Sequence, residues 1–160
     1  MKNLICILAL LCGLFILAGP ALAGDDLDLA KAVKIGSGKT TVIEFTDPDC
    51  PYCRKAAKYF QERKDVTLYI FLKPLAIHPQ SKEKVRYILS SPDPARTYEE
   101  VMNGLWDTKK PTGITPEGIR RQEEQQEIAR KNRIDATPTF MIFGRVIEGF
   151  DQRRLDELLR

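Results

Sequence analysis

Cys50-Pro51-Tyr52-Cys53 stands where an apolar run, Thr41-Val42-Ile43-Glu44-Phe45, gives way to a helical pattern. No other feature constrains the fold as tightly. Two cysteines in this spacing can close a small disulfide ring and reopen it. A helix start favours the thiolate, because its first N–H groups lack partners and the helix dipole is positive there. Pro51 suits the first helical position, where its fixed φ and missing N–H cost nothing. Strand, Cys-x-x-Cys and helix, in that order, is the layout of a thiol–disulfide exchange site. Cys50 is the expected nucleophile. Cys53, one helical turn further in, is the expected resolving thiol.

The N-terminus decides which other cysteines matter. Lys2 precedes an apolar run from Leu4 to Ala18, Gly19-Pro20 breaks it, and Ala21-Leu22-Ala23 is a small-residue cleavage site. Residues 1–23 therefore read as a secretory signal peptide, with cleavage after Ala23. The run is short for a retained membrane span. Leu10 and Leu11 before Cys12 argue against a lipoprotein signal. Of the four cysteines, Cys6 and Cys12 fall in the leader. The exported chain keeps one pair and has no disulfide scaffold, so its core must hold it together. Residues 24–160 suit one ordinary domain.

Further exclusions follow from composition. The formal charge of +3 is spread along the chain, with no basic stripe or aromatic-basic interleaving of a nucleic-acid binder. A metal site would want more ligands than one cysteine pair and a single histidine supply. The chain is expected to need neither a metal nor an organic cofactor.

Periodicity gives an outline. Asp25–Ile35 predicts a short amphipathic helix, and Thr40–Phe45 a strand. Pro51–Arg63 predicts a helix and Val66–Leu72 a strand buried on both faces. Pro74 and Pro79 bracket a loop that holds His78, read here as a loop residue remote from the cysteines. Helices are expected over Ser81–Leu89, Ala95–Asp107 and Glu117–Asn132, with Trp106 contributing to the core. Strands Thr139–Phe143 and Val146–Phe150 are joined by a tight turn at Gly144-Arg145. Asp151 caps a last helix. Strands alternating with helices imply an α/β fold with helices on the faces of a central sheet.

Phe45-Thr46-Asp47-Pro48-Asp49-Cys50-Pro51-Tyr52-Cys53 resembles the active-site segment of thioredoxin-fold proteins, most closely the DsbC/DsbG disulfide isomerases of the bacterial periplasm. His78-Pro79-Gln80-Ser81-Lys82, Ser91-Pro92-Asp93 and Tyr98-Glu99-Glu100 look like that family's helical insertion. Thr137-Pro138-Thr139-Phe140 and Ile147-Glu148-Gly149-Phe150 look like its cis-proline loop and closing hairpin. The resemblance covers most of residues 39–160. It implies a thioredoxin-like fold, a central mixed sheet flanked by helices, with an insertion at about 75–132 between the second and third core strands.

The resemblance also implies roles. Thr137 and a cis Pro138 would lie beside the sulfurs and present backbone to substrate, while Pro51 and Tyr52 shape the site between the cysteines. Thioredoxin-like proteins often hold a buried acid where Glu44 stands, and the apolar neighbours of Glu44 agree with burial. A buried carboxyl has a raised pKa suited to moving the proton of Cys53. Asp47 and Asp49 oppose a thiolate at Cys50, whereas Arg54 and Lys55 favour it. Two departures stand out. The stretch between Ala23 and the first strand is too short for the family's N-terminal dimerisation domain, so a monomer is expected. Ser90 stands where one cysteine of a second pair is common.

The expected function is extracytoplasmic thiol–disulfide oxidoreduction on cysteine-containing exported client proteins, as isomerase or reductase. The location is the periplasm or outside the cell. A membrane thiol–disulfide reductant of the DsbD type would reset the pair. A DsbA-like dithiol oxidase is the alternative within the same chemistry. A copper-handling or thiol-binding accessory protein, with the cysteines as soft ligands, is the alternative outside it.

Overall fold

The computed structural model describes residues 27–160. The predicted leader over residues 1–23 lies outside them. A 3-10 turn, Leu29–Lys31, leads into β1 (Val33–Ile35). Then come β2 (Thr40–Thr46), α1 (Pro51–Gln61) and β3 (Val66–Leu72). Three helices follow, α2 (Ser81–Ser90), α3 (Pro94–Met102) and α4 (Pro116–Lys131), before β4 (Thr139–Ile142), β5 (Arg145–Glu148) and α5 (Gln152–Leu158). The strands form one mixed sheet of order β1-β3-β2-β4-β5. Only β2 and β3 run parallel, with Glu44 opposite Ile70. On its other side β2 meets β4 antiparallel, with Glu44 opposite Phe140. The strand that feeds the cysteines is therefore central.

Alternation along β2 separates two cores. Val42 joins a large cluster with Cys53, Ala56, Phe60, Tyr98, Val101 and Leu155, which places α1, α3 and α5 there. Phe45 stacks on Phe71, with centroids 5.2 Å apart, and packs with Ala129 and Ile134 under α4. Val66–Leu72 is buried at every position but Tyr69, as its unbroken apolar run requires. The helix starts follow local chemistry. Asp93, Thr115 and Asp151 each accept a backbone N–H of the first turn, and Pro94 and Pro116 hold first-turn positions.

Three predicted elements differ. Asp25–Ile35 is not a helix over its described part: it is the 3-10 turn followed by β1, which pairs antiparallel with β3 at Val33–Ile70 and Ile35–Leu68. Free edge groups on β3 outbid a weak helical period. The predicted helix Ala95–Asp107 ends at Met102, and Gly104 takes φ 85° just after it, an ordinary helix stop. Trp106 thus sits beyond the helix, where it packs on Tyr87 at 4.4 Å against the main core. In the hairpin the turn residues are Phe143 and Gly144, at φ 50° and 73°, one position earlier than predicted. Both central residues of this turn class need positive φ.

Helices α2 to α4 form the predicted insertion between β3 and β4, and α2 packs against α4. Their contact depends on Gly118. A Cβ there would stand 1.9 Å from Ser90 Oγ and 2.8 Å from the Arg86 carbonyl oxygen. Ser90 Oγ meanwhile donates to that carbonyl at 2.7 Å and accepts the Thr115 N–H at 2.9 Å. Gly118→Ala is expected to lower stability by about 1–3 kcal/mol through overpacking. Urea denaturation of the variant beside the parent chain would measure it.

Candidate active site

The site is built on the start of α1. Cys50 is the N-cap residue and Pro51 the first helical residue; no side-chain oxygen caps this helix. Cys50 makes no capping hydrogen bond through its side chain, but the N–H groups of Tyr52 and Cys53 favour its sulfur as a thiolate. These are groups a helix start otherwise leaves unpaired. Cys50 is pushed down from an ordinary thiol value of 9.0 to about 6. The hydrogen bond from the Cys53 thiol is the largest cause. Burial opposes it, and the two backbone N–H groups and the Thr137 hydroxyl add to it.

Cys53 is the mirror case. It is fully buried, and burial first, then its bond to Cys50, pushes its thiol far up. The Asp47 N–H points at its sulfur at 3.4 Å. Both thiols are free. One cysteine is poised as a thiolate and its neighbour is held as a thiol.

Residues predicted from far along the chain converge here. The Thr137–Pro138 peptide is cis, and the Thr137 carbonyl oxygen lies 3.6 Å from Cys50 Sγ. Tyr52 is 58% exposed, with Lys55 Nζ 5.2 Å from its ring centre. Glu44 is buried completely, and neither carboxyl oxygen has a hydrogen-bond partner. Burial raises it from 4.5 to about 8 against the lowering effect of the Thr46 hydroxyl; charge at Cys50 adds a smaller rise.

Asp47 and Asp49 are engaged, not solvated. Asp47 is buried and accepts the Asp49 N–H at 2.8 Å, the Ser81 hydroxyl at 2.7 Å and the Leu75 N–H at 2.6 Å. His78 Nδ1 lies 3.0 Å from the oxygen that accepts the Leu75 N–H. This corrects the reading of His78 as remote: it is one residue removed from Cys53. Asp49 accepts from Lys84 Nζ at 2.5 Å, and Arg54 lies 3.3 Å away. Both cations also reach Asp107, Lys84 at 2.7 Å and Arg54 through two contacts of 2.6 Å. That double contact holds the Asp107 carboxyl well below the usual range, with Lys84 adding to it.

Lys84, Asp107, Thr46 and Tyr98 were not singled out from sequence. Lys84 carried a signal, since it lies on the stripe Ser81, Val85, Ile88 that α2 buries. Asp107 carried none: it sits in an irregular loop and reaches the site only through the fold. As for metals, the two sulfurs are soft donors. Among the described residues no group of three or more His, Cys, Asp or Glu is placed to hold an ion.

Comparison with known proteins places this geometry. A family model described as a thioredoxin-like domain matches residues 27–156. The chain belongs to the thioredoxin-like family. It is 37% identical over 115 residues to the Bordetella avium protein named "Probable thiol:disulfide interchange protein DsbC", across 71% of this chain and 39% of that one. The Bordetella parapertussis protein of the same name is 30% identical over 139 residues, across 84% and 48%. The chain thus spans less than half the length of these curated relatives. Among solved structures, a disulfide interchange protein from Neisseria gonorrhoeae is 30% identical, with a TM-score of 0.71 over 84% of this chain and 96% of that one. A periplasmic thioredoxin-like protein from Salmonella enterica serovar Typhimurium shares the fold, with a TM-score of 0.67 at 22% identity over 87% and 91%.

Two outcomes are expected. In the reduced protein, iodoacetamide at neutral pH labels Cys50 and spares Cys53, and the labelling rate follows a titration near pH 6; peptide mass mapping reads both. Glu44 gives a stability signature. A carboxyl raised on folding leaves stability intact below about pH 4.5, then erodes it up to about pH 8, by roughly 1.4 kcal/mol per unit. Glu44→Gln should remove that slope from urea denaturation measured across this range.

Proposed function

We propose that the chain is an extracytoplasmic thiol–disulfide oxidoreductase that acts on disulfides of exported, cysteine-containing proteins, as isomerase or reductase. The observation that carries the reading is the split pair: a depressed Cys50, 6% exposed, beside a fully buried Cys53 with a raised pKa. Cys50 thiolate attacks a client disulfide, and one client sulfur leaves as thiolate. A mixed disulfide joins Cys50 to the other. Either a second client thiol attacks and rearranges the client, or Cys53 attacks Cys50 Sγ and releases it reduced. Glu44 takes the Cys53 proton in the second route. Thr137 and Pro138 set the backbone edge beside the sulfurs, and Pro51 and Tyr52 shape the face that meets the client.

Residues 1–23 act as the export signal in this reading, which places the protein in the periplasm or outside the cell. Every reduced client leaves Cys50 and Cys53 as a disulfide, so a membrane thiol–disulfide reductant of the DsbD type must restore the pair. The domain works as a monomer. A DsbA-like oxidase is favoured by one observation, the lowered Cys50: stabilising a thiolate stabilises the reduced form and makes the disulfide a stronger oxidant.

Cys53→Ala removes the resolving thiol and should trap mixed disulfides between Cys50 and client proteins, seen as adducts on non-reducing gels that reductant dissolves. No adducts from a chain with a reactive Cys50 would sink the proposal. Equilibration with glutathione separates the directions. A potential of about −120 to −180 mV spans the oxidants and isomerases, and one of about −270 mV marks a reductant.

A further inference from the structure

Behind Cys53 lies a group of polar side chains that the exchange reading uses only in part. Alternation places Val42, Glu44 and Thr46 on one face of β2, the face whose core includes Cys53 and Tyr98. Tyr98 enters that core from α3 and is 2% exposed. Its hydroxyl has no hydrogen-bond partner, and neither do the Thr46 hydroxyl or the two Glu44 oxygens. Buried polar atoms without partners are rare, and here four of them share one core beside a redox sulfur. A phenylalanine at 98 would fill the same space without the hydroxyl.

We propose that Tyr98 is a positioning residue for Glu44: its phenol O–H donates to the Glu44 carboxylate once that group ionises, and so keeps it available as the base for Cys53. This rests on the exchange reading. In the step concerned, the Cys53 thiol passes its proton to the Glu44 carboxylate, giving thiolate and carboxylic acid. The Cys53 thiolate then attacks Cys50 Sγ. The Cys50–Cys53 bond forms, the bond from Cys50 to the client sulfur breaks, and the electron pair leaves with that sulfur. The client sulfur is reduced and the cysteine pair oxidised.

Burial alone would keep Glu44 protonated and useless as a base. Donors within reach counter that, and Thr46 already lowers it. Tyr98 cannot ionise in its place. Burial first, then the charge of Glu44, then that of Cys53, hold the phenol proton well above its usual range. The Thr46 hydroxyl acts on Glu44, Cys53 and Tyr98 alike, lowering each. Cys50 and Cys53 act on this group from α1, and Glu99 acts weakly on Tyr98 from α3 itself. The flanking strands set Ile70 and Phe140 opposite Glu44, and neither titrates.

Rapid mixing of the reduced chain with 5,5′-dithiobis(2-nitrobenzoate) reads the two steps apart. Attack by Cys50 releases one nitrothiobenzoate, and resolution by Cys53 releases the second. In Tyr98→Phe the first release should be unchanged. The second should become roughly tenfold slower near neutral pH, its pH profile moved up by about one unit. In a Glu44→Gln background the same substitution should add nothing. An unshifted second phase overturns the role of Tyr98, as does a shift that persists without Glu44. Absence of the first release overturns the exchange reading and the proposal with it.

Discussion

The structure depends on how the start of α1 is satisfied. A helix must give its first N–H groups to some acceptor. In most helices an oxygen of Ser, Thr, Asp or Asn serves, as it does for α3, α4 and α5. The start of α1 has no such oxygen: Cys50 holds the cap position, and the N–H groups of Tyr52 and Cys53 favour its thiolate. Unpaired N–H groups and the helix dipole favour an anion, so the helix start that lacks an oxygen cap also helps to charge the nucleophile. Fold and chemistry share one helix start. The parallel pairing of β2 with β3 aims the chain end at this point, and the buried faces of α1 fix the first turn in place.

The insertion holds the same point from outside. Asp47 gathers the loop before α2, the first residue of α2 and His78 onto its carboxyl. Asp49, Arg54, Lys84 and Asp107 interlock two acids with two cations across α1, α2 and the loop after α3. Lys84 is nearly sealed from water at 2% exposure, where an ion pair is screened little. The charge of Asp49, next to the nucleophile, is thereby balanced from the insertion. The three extra helices are in this sense part of the site and not an ornament on the sheet.

Much of this was legible in the sequence. The Cys-x-x-Cys junction, the continuous apolar run of Val66–Leu72 and the polar helix before Thr137-Pro138 each have one dominant local cause. They appear in the fold where the pattern put them. The burial of Glu44 followed from its apolar neighbours on a central strand. What failed had a non-local cause. β1 exists because β3 offers an unpaired edge, which a short segment around Val33 cannot announce. Asp107 and His78 reach the charged groups around the cysteines, Arg54 and Lys84 for one and Asp47 for the other, through loop geometry, with no period or motif to mark them. Tyr98 entered only through the likeness of Tyr98-Glu99-Glu100 to the family's insertion, because its stripe with Val101 and Met102 suits a plain core aromatic equally well.

The asymmetry of the cysteine pair reaches beyond nucleophilicity. Reducing a disulfide adds two electrons, and the protons that follow depend on which thiols hold them. Cys53 keeps its proton across the neutral range, whereas Cys50 gives its own up above about pH 6. Reduction therefore draws two protons from the surroundings on the acid side of that point and one on the other. The pair's oxidising strength consequently responds to acidity more steeply in an acid medium than in a neutral one. The chain carries that sensitivity in a single sulfur, placed where α1 begins.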